Sequence, residues 1–195
     1  MTTPTLREKQ APLKASYKSD PTSALVTLHS SGSLDSSNIT CKLSTGQAAH
    51  AASQKIAGLH PKAGGSDPLV SGELCSGDML LEALVACAGV TLKAVATALE
   101  IPIVSGTVRA EGDLDFKGTM GVDREAPVGF MAIRLGFELD FEEEVAEEKV
   151  RKLGQLTERY CVVLQTIKRK PGLEVSLKGR QGGGEGRTVE WEEKS

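Results

Sequence analysis

The chain has 195 residues, of which 39% are hydrophobic, and this suits one compact domain with its own core. Aromatic residues contribute only 4%, so we expect Leu, Val, Ile and Ala to build that core. The 26 acidic residues outnumber the 23 basic ones and leave a formal net charge of -3. This balance argues against a nucleic-acid partner, because no excess of positive charge is available to neutralise phosphates.

The first quarter of the chain predicts an arm and then a hairpin. Residues 1–23 are polar, carry three prolines, and are predicted to form an N-terminal arm outside the core. Residues 24–31 and 38–44 alternate apolar and polar side chains, which predicts two half-buried strands. Residues 31–37 are rich in turn formers and should connect them. Residues 45–75 are predicted to be mostly loop, because glycines and prolines recur along them.

The most apolar helix is predicted over residues 76–100, with Ser76 as its N-cap and Pro102 beyond its end. Its apolar side chains cover nearly the whole circumference, as in a helix that is buried on all sides. One domain of this size would struggle to cover such a helix. A second copy of the chain could do so, and we therefore expect a homodimer.

The second half of the chain predicts another hairpin and two further helical segments. Residues 103–116 and 128–140 alternate as strands do, and the acidic run 142–144 begins a helix whose dipole it suits. Residues 157–167 predict one or two more helical turns, and residues 173–178 predict a last strand.

The order of these elements indicates an α+β domain over residues 24–178. The glycine-rich segment 179–195 is predicted to be a flexible tail.

The cellular compartment is predicted from what the N-terminus lacks. Residues 1–20 contain basic residues and no apolar segment of the kind found in a signal peptide, so a cytoplasmic protein is expected. The longest apolar run is interrupted by Glu82 and Lys93, and no membrane span is predicted.

The cysteines are predicted to be free thiols. Cytoplasmic thiols are kept reduced, so the four cysteines are not expected to form a structural disulfide framework. Their spacing contains no Cys-x-x-Cys pair, so no metal site is expected.

Cysteine is the residue type most able to supply a nucleophile here. The sequence has no GxSxG elbow, P-loop or GxGxxG motif, so serine hydrolysis and nucleotide-dependent chemistry are unsupported. Cys87 lies at the centre of the apolar helix, and Cys161 lies near the end of a later one. Taken alone, either residue could simply be a small buried side chain. For Cys41 and Cys75 we favour a packing role.

Four segments of the chain resemble a known family. They are GG at 64–65, SGDMLLEALVACAGVTL at 76–92, GF at 129–130 and ERYCVV at 158–163. Together they resemble the OsmC-like superfamily, in the branch of OsmC and the organic hydroperoxide resistance (Ohr) proteins. The resemblance covers about residues 24–178. Where this chain has Val-Val at 162–163, many relatives have Pro-Val.

The resemblance implies an intertwined homodimer, with two central helices buried between curved antiparallel sheets and active sites at the subunit interface. It also implies that Cys87 attacks a hydroperoxide and becomes a sulfenic acid, and that Cys161 then condenses with it to a disulfide. An external dithiol, either a simple thiol reductant or a lipoyl group, would restore both thiols by exchange. No bound cofactor is expected.

The sequence departs from the family at the groups that activate the first cysteine. Relatives use an arginine that is held by a glutamate. The glutamate position falls on Gly77 here, and no arginine occurs between Arg7 and Arg109. A buried thiol needs some stabilising group if it is to ionise near neutral pH. The candidate cations are His60 and Lys62, before the helix, and then Arg159.

Two other functions remain open. The missing arginine and glutamate would also fit a dimeric module that binds a small apolar or electrophilic molecule, with cysteines kept for packing. The same two thiols could instead handle persulfides.

Overall fold

The structure is a computed structural model that describes residues 19, 30–34, 40–45, 56–60, 74–119, 121, 123–181 and 188–194. In chain order, the elements are β1 (Ser30–Leu34), β2 (Thr40–Thr45), β3 (Ile56–Gly58), β4 (Leu74–Cys75), α1 (Ser76–Ala98), β5 (Ile103–Asp113), α2 (Phe116–Thr119), β6 (Ala132–Phe141), α3 (Glu147–Tyr160), α4 (Val162–Arg169), β7 (Glu174–Arg180) and β8 (Thr188–Lys194).

Among the described residues, the strands form three separate sheets. The first has the order β1-β2-β3-β4, in which only β3 and β4 pair in parallel. The other two are the antiparallel pairs β5-β6 and β7-β8. This mixture of helices and largely antiparallel sheets confirms the predicted α+β class. The predicted homodimer concerns a second copy of the chain and stays a prediction.

The central helix α1 supplies most of the core. Its fully buried side chains follow one another at intervals of four residues, at Leu84, Ala88, Leu92 and Ala96. This stripe faces β5, α3 and α4. By length and composition alone α1 could cross a bilayer, but the core helix of a soluble protein passes the same test.

Two hydrophobic clusters lie along α1. The first joins Leu92 and Ala96 to Ile101 and to Leu153 of α3. The second joins Leu84 and Ala88 to Cys161, with Cys87 packed against it. The second cluster therefore brings the two cysteines singled out from the sequence to one place.

Several predicted boundaries differ from the structure. β1 occupies residues 30–34, where a turn was predicted, although it does pair antiparallel with β2 as expected. Residues 24–29, at the start of the predicted strand, lie outside the described residues. Cys75, rather than Ser76, is the N-cap of α1. The N-terminal arm also falls outside the described residues, apart from residue 19.

The C-terminal segment differs most from its prediction. Residues 188–194, part of the predicted flexible tail, form β8. Its backbone pairs with β7 along seven residues of each strand, with Trp191 opposite Leu177. The strand-forming residues Thr188, Val189 and Trp191 outweigh the effect of the glycines before them.

Candidate functional site

The helical segment after residue 146 is interrupted at Cys161. The Cys161 backbone is extended, with φ -71° and ψ 107°. Its N–H donates to the Thr157 carbonyl at 3.0 Å, and its carbonyl accepts from the Gln165 N–H at 2.9 Å. Cys161 therefore ends α3 and begins α4, in keeping with the prediction that it lies near the end of a helix.

This break creates a set of hydrogen-bond donors. The first N–H groups of any helix have no carbonyl partner within that helix. In α4 these include the N–H groups of Val162 and Val163, and both act on the Cys87 sulfur. The positive end of the α4 dipole thus lies against the thiol at the centre of α1.

The Cys87 and Cys161 thiols also lie close together, since Cys87 packs against the buried cluster that contains Cys161 and each thiol affects the pKa of the other. Both cysteines are free in this structure. Cys87 is half-buried and keeps part of its surface exposed, whereas Cys161 has 0% exposure. A molecule arriving from solvent therefore meets Cys87 before Cys161.

The surroundings of Cys87 favour its ionised form. Burial raises the pKa of the Cys87 thiol, but hydrogen bonds from the Val163 amide, the Cys161 thiol and the Val162 amide lower it further than burial raises it. The net effect is a pKa below the usual value for cysteine.

Thr91 is a weaker contributor to the same effect. Its hydroxyl lies close enough to act on the Cys87 sulfur, but it donates its one hydrogen to the Cys87 carbonyl oxygen at 2.8 Å. The two amides and the Cys161 thiol therefore carry most of the stabilisation of the thiolate.

Cys161 is affected in the opposite direction. Burial raises the pKa of the Cys161 thiol, and the neighbouring Cys87 raises it further, although nearby backbone amides oppose both effects. At neutral pH, Cys87 is therefore the better nucleophile, and Cys161 is a neutral thiol that can donate a hydrogen bond to it.

The predicted cations are not among the groups that lower the Cys87 pKa. The Arg159 guanidinium lies 5.7 Å from the centre of the Tyr160 ring. His60 stacks on Phe116, with 4.9 Å between the ring centroids. Lys62 lies outside the described residues. The groups that do lower the Cys87 pKa are uncharged. The only sign of them in the sequence is residue 162, which is valine here and proline in many relatives.

A separate cavity surrounds Cys75, the N-cap of α1. It has a volume of about 570 Å³ and is lined by Cys75, His60, Asp78 and Phe130, among others. Within the described part of the chain, no group of three or more His, Cys, Asp or Glu residues could hold a metal ion. The sequence analysis assigned Cys75 to packing and did not find this cavity.

Solved structures with a similar fold come from distant relatives. An OsmC-like protein from Mycoplasma pneumoniae is 17% identical and has a TM-score of 0.56, with 74% of this chain and 89% of that chain covered. An OsmC-like protein of unknown function from Vibrio cholerae O1 biovar eltor is 13% identical and has a TM-score of 0.57, with 73% and 94% covered. A hypothetical protein from Aquifex aeolicus VF5 is 18% identical and has a TM-score of 0.51, with 74% and 89% covered.

At these identities, the similarity shows a shared fold. No curated protein sequence matches the chain significantly. The sequence profile of the family described as "OsmC-like protein" matches residues 70–176, which is more than half of the chain and includes both Cys87 and Cys161. The chain therefore belongs to the OsmC-like family.

Proposed function

We propose that the protein is a thiol-dependent peroxidase that reduces organic hydroperoxides or hydrogen peroxide, with Cys87 as the attacking thiolate and Cys161 as the resolving thiol. The observation that carries this proposal is the position of the partly buried Cys87, which packs against the cluster that contains Cys161 and lies near the first N–H groups of α4. Membership of the OsmC-like family supports the same chemistry.

In the first step, the Cys87 thiolate attacks the distal oxygen of the hydroperoxide. The O–O bond breaks, the alkoxide leaves and takes up a proton, and the sulfur keeps one oxygen as a sulfenic acid. The products are the alcohol, or water when the substrate is hydrogen peroxide. The helix amides that stabilise the thiolate take the place of the arginine that relatives use.

In the second step, the Cys161 sulfur attacks the Cys87 sulfenic acid. The S–O bond breaks, water leaves with the Cys161 proton, and a disulfide forms. Cys87 already packs against the cluster that contains Cys161 in the reduced chain, so little movement is needed for this bond. An external reductant, either a simple thiol or the reduced, dihydrolipoyl form of a lipoyl group, then restores both thiols and is itself oxidised to a disulfide.

The proposal includes a cytoplasmic homodimer without a bound cofactor. The exposed apolar side chains of α1 support a second copy, since Leu80 is 40% exposed and Val90 is 73% exposed in the single chain.

Peroxide turnover with dithiothreitol or a lipoyl donor tests the proposal. We expect turnover by wild type and by Cys75→Ser, a matched control because Cys75 lines a different cavity, and none above background by Cys87→Ser. Mass spectrometry of Cys161→Ser after one equivalent of peroxide should show one oxygen added to Cys87 and no disulfide.

Wild-type turnover that survives Cys87→Ser would refute the proposal. Inert cysteines and an unperturbed Cys87 pKa would instead favour the non-peroxidatic binding module. A preference for persulfide over peroxide substrates would instead favour the sulfur-handling alternative.

A further inference from the structure

The break between α3 and α4 takes the usual partner away from the Glu158 carbonyl oxygen. In an unbroken α-helix, the carbonyl of each residue accepts a hydrogen bond from the N–H four residues later, which for Glu158 is the N–H of Val162. The extended Cys161 backbone, with ψ 107° where a helix has about -42°, turns the next peptide unit out of the helical path. The Val162 N–H is therefore directed away from the Glu158 carbonyl.

A side chain takes the place of this N–H group. The Gln165 Nε2 donates to the Glu158 carbonyl oxygen at 2.8 Å, although the two residues lie on different helices, seven positions apart. A carbonyl oxygen can only accept, so the NH₂ group of the amide is the group that faces it. The backbone N–H of Gln165 donates to the Cys161 carbonyl at 2.9 Å. Gln165 therefore contacts both sides of the break.

The residue types at the break do not enforce it. Cys161, Val162 and Val163 all carry a backbone N–H, and a helix can run through any of them. In a continuous helix, the N–H groups of Val162 and Val163 would pair with carbonyls of the last turn of α3. They would then be unavailable to Cys87. Some other contact is needed to favour the broken arrangement.

The start of α4 packs beside the reactive thiol. Val163 and Cys87 pack against the same buried cluster, which contains Cys161. The N–H groups of Val162 and Val163 also lower the pKa of Cys87. The ionisation of Cys87 therefore depends on the position of these N–H groups, and their position depends on the break.

A second contact joins α3 to α4, but it is weaker. The Lys168 ammonium pairs with the Glu158 carboxylate, and both side chains are about half exposed. Ion pairs at the surface contribute little to stability, because water and salt screen them. This pair also leaves the Glu158 carbonyl oxygen unsatisfied. The bond from Gln165 is the one that pairs this oxygen.

We propose that Gln165 is a positioning residue for the Cys87 thiolate, because its side-chain amide replaces the Val162 N–H at the Glu158 carbonyl and leaves that N–H free for the sulfur. Gln165 acts through the backbone rather than on the reacting atoms. This inference rests on the proposed function, since the thiolate in question is the one that attacks the peroxide. Its test measures the ionisation of Cys87 and not peroxide turnover, so the two can fail separately.

Gln165→Met keeps the length of the side chain and removes its donor. The control is Gln155→Met, the same exchange at an exposed position of α3, and both variants carry serine at Cys41 and Cys75. The rate of Cys87 alkylation by iodoacetamide is measured across pH, and peptide mass spectrometry assigns the alkylated thiol. We expect the Gln165→Met ionisation curve to lie at higher pH, with roughly a threefold shift of the equilibrium towards the neutral thiol. Identical curves for the two variants would overturn the inference.

Proline at position 162 separates positioning from a general loss of stability. Proline has no N–H and cannot continue the helix from α3, so in Val162→Pro the break no longer depends on Gln165. Adding Gln165→Met to Val162→Pro should therefore leave the Cys87 ionisation curve unchanged. An equal shift in the two backgrounds would indicate a general structural effect and refute the positioning role.

The wild-type protein offers a measurement that does not depend on the folding of any variant. Hydrogen-bonded N–H groups exchange with solvent more slowly than free ones. One Nε2 hydrogen of Gln165 should therefore exchange more slowly than those of Gln155 in NMR spectra of ¹⁵N-labelled protein, and equal rates would count against the inference. A wild-type protein that meets these expectations and yet does not reduce peroxide would refute the proposed function alone.

Discussion

Replacing Val162 with proline removes one of the two backbone donors to the Cys87 sulfur, because proline has no N–H. The native backbone can accept proline at position 162. Val162 is the first residue of α4, where proline is favoured, and the extended backbone of Cys161 is one that a residue before proline adopts readily. The Val162 side chain is 68% exposed, so little packing is lost.

The expected effect follows from the strength of one hydrogen bond to a charged group, about 1.5–3 kcal/mol. Cys87 is partly exposed and sulfur is a weaker acceptor than oxygen, so we take about 1 kcal/mol, which corresponds to roughly a fivefold shift of the ionisation equilibrium towards the neutral thiol. Because wild-type hydrogen bonding lowers the pKa of Cys87, losing a donor should shift the ionisation curve to higher pH.

The assay is the rate of Cys87 alkylation by iodoacetamide across pH, in a background where Cys41 and Cys75 are serine. Val162→Ala is the matched control, since it shortens the same side chain and keeps the N–H. Thermal unfolding should show that the proline variant folds as well as the control. Identical pH profiles for the two variants would refute the idea that the α4 amides activate the thiol.

Two further predictions concern the β5-β6 hairpin. Gly112→Ala should lower the free energy of unfolding by about 1–3 kcal/mol, because the new Cβ would clash with the Phe130 ring. Gly136→Ala, whose Cβ would meet nothing within 4 Å, is the control in thermal denaturation, and equal losses would contradict the reasoning. Hydrogen bonds from Arg134 lower the pKa of Asp113, so this carboxylate stabilises the fold above its unfolded pKa of about 3.9 and loses that effect as pH falls through the lower folded value. Asp113→Asn should therefore be less stable than wild type at pH 7 and equally stable in strong acid; a deficit in urea unfolding that grows on acidification would argue the opposite.

Periodicity in the sequence predicted the elements that surround the candidate site. The apolar run over 76–100 became α1, and the alternating segments 103–116 and 128–140 became the β5-β6 hairpin. These predictions hold because burial of one face leaves a repeating pattern in the sequence. Residues 31–34 were misassigned to a turn because small polar residues form turns and edge strands alike.

The activation of Cys87 could not be predicted in the same way. The groups predicted to activate Cys87 were charged side chains, whereas those that lower its pKa in the structure include backbone N–H groups, which every residue except proline carries. Their position depends on the break at Cys161, which interrupts an otherwise continuous helical pattern. Only the valine at 162, in place of the proline of many relatives, marked the position in the sequence.

Cys161 lies at a helix break, 74 residues beyond Cys87. The proposed disulfide would therefore change the stability of the folded chain. A bond between them would tie the central helix to the junction of α3 and α4 and restrict the unfolded chain, adding about 4 kcal/mol to the free energy of unfolding by the loop-entropy relation. Oxidised molecules would then resist heat and proteases better than reduced ones. When peroxide is supplied faster than reductant, the protein would accumulate in its oxidised, disulfide-linked form. This form would be more stable than the reduced one and could still be reduced later.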